Sequence, residues 1–129
     1  MPNPLYKKLG LKPGMKACVL QPPEDYFDLI EGVSDDVHFI ELADEMDFIH
    51  YFSMAGAQLA LDFPLLKQRI NKKGMIWISW PKGTSKVNTD LNSNMVRKIG
   101  LDAGLVDVKV CSVDEIWSGL KFMWRTKDR

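Results

Sequence analysis

The sequence is short of most things that would announce a chemistry. Its 129 residues include two cysteines and two histidines. Cys18 and Cys111 each stand alone in an apolar run, with no cysteine or histidine at a metal-ligand spacing. Neither a disulfide framework nor a metal site is expected, and both thiols read as reduced core residues of a cytoplasmic protein. Net charge is missing too. Seventeen basic side chains balance 17 acidic ones, which removes the global field that draws a protein onto nucleic acid or anionic lipid and makes any basic site a local one. No run approaches the roughly 20 apolar residues of a membrane span, so no membrane association is expected. Residues 1–14 carry Lys7 and Lys8 but no apolar signal core, so no signal peptide is expected, and YKKLGLK (6–12) reads as a solvated entry to the first strand, with a small basic arm as the alternative. Repeats, low-complexity segments and linkers are absent, so residues 1–129 are expected to form a single domain. No serine or cysteine sits in a nucleophile motif, and Gly-Thr-Ser-Lys at 83–86 lacks the spacing of a phosphate loop. His38 and His50 fall inside strand patterns, where a histidine is ordinarily a core or edge residue with satisfied hydrogen bonds. No catalytic residue and no cofactor is expected.

What is present is a clear alternation of patterns. Hydrophobic residues make up 46% and charged residues 26%, the balance of a soluble globular domain. Residues 17–21 (ACVLQ), 38–42 (HFIEL), 47–54 (DFIHYFSM) and 75–80 (MIWISW) are apolar runs without polar alternation, the signature of strands covered on both faces. Between them lie helical spacings. Tyr26, Leu29, Ile30 and Val33 form a short stripe. Leu59, Phe63, Leu66 and Ile70 share a longer one that leaves Lys67, Arg69, Lys72 and Lys73 to solvent, with a turn start or kink at Pro64 and a stop at Gly74. Leu91, Met95, Ile99 and Ala103 recur every four residues, with Asn92 or Thr89 as cap and Gly104 as terminator. The period then changes to two: Val106, Val108 and Val110, and later Leu120, Phe122 and Trp124, alternate with other residues and predict a terminal antiparallel hairpin. The expected fold class is therefore α/β, a three-layer α/β/α arrangement with a mainly parallel sheet of roughly five or six strands and a C-terminal antiparallel hairpin.

A sheet that ends in helix, strand, strand is similar to the class I S-adenosylmethionine-dependent methyltransferase fold. KKGMIWISWP (72–81) followed by AGLVDVKVCSVDEIWSGLKFMWR (103–125) resembles the last third of one. From KKLGLKPG (7–14) onward the chain also resembles a bacterial family of small proteins, a domain of unknown function, through SWPK, SKV, TDL, GLVDVKVC and VDEIWSGLKF. The first resemblance implies a degenerate Rossmann-like scaffold with one strand-helix unit fewer than the full sheet. It also implies a glycine-rich turn after the first strand, where backbone amides meet the cofactor. This sequence has Gln21-Pro22-Pro23-Glu24-Asp25 there: two residues with no amide hydrogen, then two carboxylates that repel an acidic group. Glu41 stands where the fold's ribose-binding acid would fall, with a solvated or capping role as the alternative.

The candidate binding surface comes from loop position. In an open α/β sheet, ligands gather beyond the carboxyl ends of the parallel strands. The stretch after Trp80-Pro81 supplies Lys82, Thr84, Ser85 and Lys86, and the hairpin turn, expected at the same end, supplies Asp114, Glu115, Trp117 and Ser118. Lysines and hydroxyls ahead of a helix suit an anion, and Trp80 or Trp117 suits a planar group. The competing reading pairs Lys82 and Lys86 with Asp114 and Glu115 as an internal ion-pair network. The expected partner is an anionic small molecule or a protein. The leading expectation is a non-enzymatic binding module; the alternatives are a methyltransferase with atypical cofactor binding and a nucleic-acid-binding protein, the latter disfavoured by the zero net charge.

Overall fold

A computed structural model of the chain describes residues 3–129; Met1 and Pro2, part of the stretch read for a signal peptide, lie outside the described residues. The chain runs α1 (Leu5–Leu9), β1 (Lys16–Leu20), α2 (Tyr26–Leu29), β2 (His38–Phe39), β3 (Met46–Phe52), α3 (Gly56–Arg69), β4 (Ile70–Pro81), α4 (Ser93–Asp102), β5 (Leu105–Ser112) and β6 (Trp117–Trp124), with single 3₁₀ turns at Gly83–Ser85 and Thr126–Asp128. One six-stranded sheet has the order β2-β1-β3-β4-β6-β5. β1 pairs in parallel with β2 and β3, and β3 pairs in parallel with β4. β6 lies antiparallel between β4 and β5. This is the expected α/β/α architecture with its hairpin at one edge.

The apolar runs become central strands because both faces of the sheet are covered. One face carries Ile49, Tyr51, Ile76, Ile78, Trp80, Leu120 and Phe122 against Leu59, Phe63 and Leu66 of α3 and Val96 of α4. The other carries Phe48, Phe52, Met75 and Trp77 against Leu9, Leu11, Tyr26 and Ile30. In α4, Asn92 accepts from the Met95 amide at 2.9 Å, and Gly104 takes φ 97° after the last turn. Gly100 lets α4 press onto β6: a Cβ there would fall 2.0 Å from Cε1 of Phe122.

Three expectations are corrected, and the β5 edge shows a feature that the alternation did not specify. Residues 6–12 are not wholly a solvated entry: Lys7 and Lys12 are exposed, but Leu5–Leu9 make a helical turn whose Leu9, with Leu11 beyond it, is buried in the core. The second long helix does not stop at Gly74. It runs through Pro64, ends at Arg69, and Ile70 enters β4 directly. Gly74 lies inside that strand, where a Cβ would sit 2.7 Å from the Met46 carbonyl oxygen, next to a register shift in the β3–β4 ladder. Lys67 and Lys72 are not simply solvated, since both ammonium groups lie over the Trp124 ring, at 4.8 and 3.5 Å from its centroid. Val108 and Val110 do not reach the core. β5 is the edge strand, its pairing shifts between Asp107 and Lys109, and both valines are exposed beyond the cover of α4.

Among the described residues, no helix is long and apolar enough to cross a membrane and no group of His, Cys, Asp or Glu could hold a metal ion.

Candidate functional site

The loop after β4 and the β5–β6 turn do meet. The register pairs Pro81 with Trp117 and Trp80 with Ser118, and the Lys82 amide donates to the Ile116 carbonyl at 2.7 Å. The Lys82 ammonium crosses between the two segments, donating to the Ser112 hydroxyl at 2.6 Å and to the Asp114 carbonyl at 2.7 Å. The Asp114 carboxylate accepts from the Ile116 and Trp117 amides at 2.8 and 2.7 Å, which fixes the turn. Ser85 donates to the Lys82 carbonyl at 2.6 Å.

The remaining residues of that surface are dispersed. Trp80 is buried among the α3- and α4-side core residues, whereas Trp117 packs on the opposite face, edge-on to Phe52 with centroids 5.0 Å apart. The two indoles therefore do not flank the same space. Thr84 and Glu115 are exposed, Ser118 is half-buried in the ladder, and Lys86 is exposed at φ 63°. α4 begins at Ser93 with Asn92 as its cap, one of the two caps expected, so its first turn does not directly follow Lys86. Thr89 and Asp90 of the intervening segment turn toward α3: Thr89 donates to the Met54 carbonyl at 2.7 Å, and Asp90 accepts from the Gly56 amide at 2.8 Å. The ion pairs among the described residues are Arg69–Asp44, Arg97–Asp107 and Lys98–Asp102. The competing network of Lys82 and Lys86 with Asp114 and Glu115 is not formed; Lys82 is held by neutral oxygens.

A second site lies at the other end of the same sheet side. A cavity of about 430 Å³ opens beyond the carboxyl ends of β1 and β2, lined by Cys18, Val19, Leu20, Pro22, Phe27, Phe39, Ile40, Glu41 and Leu42. It exists because HFIEL, read as a five-residue strand, pairs over only His38 and Phe39. The Ile40 amide makes a last bond to the Ala17 carbonyl at 2.8 Å, and Glu41 and Leu42 run on beyond the pairing. Phe27 is 57% exposed on the one-turn α2 and meets Phe39 edge-on at 5.2 Å between centroids. The trough is apolar except at Glu41, and burial with the nearby Glu41 carboxylate pushes the Cys18 thiol above its ordinary pKa. A smaller hollow of about 250 Å³ continues from it, sharing Leu20 and Leu42 and adding Tyr51, Asp62 and Leu65. Tyr51 donates to Asp62 there; burial first, then that carboxylate, raises the phenol pKa. Of this trough, sequence reasoning had Glu41 and, from the turn after β1, Pro22. The stretch beyond the pairing depends on where β2 stops, which an apolar run does not reveal.

His50 is the core histidine with satisfied hydrogen bonds that its strand pattern implied, and it is the centre of a buried polar chain whose partners the sequence did not identify. Tyr26 Oη lies 2.9 Å from His50 Nδ1, and His50 Nε2 lies 2.7 Å from Ser79 Oγ. His50 stacks on Phe52 at 4.3 Å between centroids. Full burial pushes its pKa down to about 3, so the ring is neutral, with one nitrogen donating and the other accepting. With Ser79 fully enclosed as well, this chain joins α2, β3 and β4 as structure.

No protein-family model matches the chain, and no curated protein matches it. Solved structures do. An S-adenosylmethionine-dependent methyltransferase from Aquifex aeolicus is 17% identical, with a TM-score of 0.65 over 94% of this chain and 88% of that one. Magnesium protoporphyrin IX methyltransferase from Synechocystis PCC 6803, solved with bound S-adenosylhomocysteine, is 11% identical, with a TM-score of 0.62 over 94% and 78%. The Methanococcus jannaschii fibrillarin pre-rRNA processing protein is 12% identical, with a TM-score of 0.57 over 88% and 68%. The chain has the methyltransferase-like Rossmann fold.

Proposed function

We propose that this protein is a non-enzymatic binding module on a methyltransferase-like scaffold, and that the trough beyond β1 and β2 takes a nucleoside-like ligand. The observation that carries the reading is the trough itself: an apolar slot with one carboxylate on its rim, at the sheet end where this class of fold places ligands. A flat base would lie against the apolar wall made by Phe27, Phe39 and Ile40, and Glu41 suits ribose hydroxyls as an acceptor.

The methyltransferase neighbours imply S-adenosylmethionine, and the turn after β1 does not suit the amino-acid end of that cofactor. Gln21 occupies the left-handed region at φ 56°, Pro22 and Pro23 offer no amide hydrogen, and the Tyr26 amide is already bonded to the Pro23 carbonyl at 3.1 Å. Glu24 and Asp25 are exposed beside it and repel a carboxylate. The reading is therefore a nucleoside without an acidic tail, with no methyl transfer. Membership in the small bacterial family that the motifs resemble, a cytoplasmic location and anion recognition by the Lys82–Lys86 loop belong to the same proposal. The other reading, a methyltransferase with an atypical cofactor seat, is favoured by the solved neighbours.

Calorimetric titration with adenosine, S-adenosylhomocysteine and S-adenosylmethionine separates the two. The binding-module reading expects adenosine to bind at least as well as the two amino-acid derivatives, and Glu41→Gln to weaken it about tenfold, the size of one charge-assisted hydrogen bond. No binding by any of the three ends the nucleoside reading. A preference of about tenfold or more for the amino-acid derivatives would establish the methyltransferase reading instead.

A further inference from the structure

The balanced charge hides a one-sided surface. Lys109 of β5 and Lys121 of β6 are direct partners across the hairpin, a placement that costs stability because like charges face each other. The Lys109 ammonium donates to the Lys8 carbonyl at 3.0 Å, which brings α1 to the pair. The Lys121 ammonium lies beside Gly10, 3.8 Å from where a side chain there would begin. Lys121 is half-buried, and burial first, then Lys109 and Lys12, push its pKa down. Toward the loop end of the hairpin, Cys111 feels Lys8, Lys109 and Lys82, which partly offset the upward push of burial on its thiol. The charged groups acting on Lys121 are thus lysines, and Asp107 of the neighbouring β5 is engaged by Arg97 at 3.0 Å.

We propose that Lys8, Lys12, Lys109 and Lys121, gathered where α1 meets the β5–β6 hairpin, bind an oligophosphate anion. A run of phosphoryl groups is the ligand whose charge relieves this repulsion at several points at once. Lysine stems place separate point charges, which suits consecutive phosphoryl oxygens, whereas planar carboxylates are better matched by arginine forks. Two tryptophans of the sheet are engaged elsewhere and do not offer the stacking platform that single-stranded nucleic acid uses: Trp77 is buried with its Nε1 donating to the Leu9 carbonyl at 2.8 Å, and Trp117 is packed on Phe52. The free tripolyphosphate chain and the tail of a nucleoside triphosphate carry the same chemistry.

Titration of the full chain with tripolyphosphate, ATP and a 20-nucleotide single strand, at matched ionic strength against sulfate, tests this. Saturable tripolyphosphate binding is expected, weakened about tenfold in Lys109→Gln with Lys121→Met and about threefold in Lys12→Gln alone. Without ligand, the double variant should melt at or above the wild-type temperature, since the opposed charges are gone and the methionine keeps the buried stem. Equal affinity for ATP and tripolyphosphate assigns recognition to the phosphates alone; tighter ATP binding assigns the site to nucleotide tails. Binding no stronger than sulfate, or unchanged in both variants, overturns the proposal. So does a single strand that binds while tripolyphosphate does not.

Discussion

β4 and β2 finish at the same side of the sheet, yet they finish differently. β4 runs for 12 residues and pairs with β6 at seven positions, and its exit is tied to the hairpin turn through both the amide and the ammonium of Lys82. β2 is two residues long and pairs at two positions, leaving Ile40, Glu41, Leu42 and Phe27 without cover. At the dense end Lys82 and Ser85 serve the connection, while an ordinary apolar run at β2 makes the opening at the sparse end.

The comparison breaks most forcefully in the core under the dense end. Phe122 is fully buried and meets Phe63 edge-on at 5.1 Å, so Phe122→Ala should cost about 3–5 kcal/mol in urea unfolding. A loss below about 1 kcal/mol would show that α4 closes over the gap and that this half is looser than described.

The link between the halves is next. His50, tied to Tyr26 on one side and Ser79 on the other, is neutral when folded because its pKa falls from 6.5 to about 3. A histidine whose folded pKa is depressed gives stability that is fully present above its unfolded pKa and is lost as pH falls below it. Between pH 7 and pH 5 the loss should be about 2 kcal/mol, measured by denaturation at each pH. In His50→Gln that slope should flatten; an unchanged slope would assign the acid sensitivity to other groups.

At the tied exit, Lys82→Met removes two hydrogen bonds from a half-exposed ammonium and should cost about 1 kcal/mol, with faster amide exchange at Ile116 and Trp117. Exchange unchanged at the turn would mean that the Asp114 carboxylate alone holds it.

The smallest effect belongs to the open end. Phe27→Ser, at a side chain more than half exposed, should shift stability by no more than about 0.5 kcal/mol while weakening nucleoside binding. A large stability loss there would turn the trough from a site into packing.

Sequence periodicity carried the architecture because burial on a sheet face or helix stripe imposes its repeat directly on the residues. ACVLQ, DFIHYFSM and MIWISW became β1, β3 and β4, Asn92 and Gly104 bounded α4, and Leu120 and Phe122 faced the core as their alternation requires. Local patterns do not say where an element ends against its neighbours. HFIEL gave no hint that only two residues would pair, Gly74 read as a stop where a close approach to Met46 needed it, and Val108 and Val110 of β5 alternated yet stayed exposed. The site was legible only as far as loop position: the meeting of the Lys82 loop with the Asp114 turn followed from strand direction, and Glu41 from its place after β2. Which face each indole took, which oxygens claimed Lys82, and the opposition of Lys109 to Lys121 depended on register. Register is a relation between segments far apart in the chain, set by how the whole sheet packs, and so tertiary structure decided it.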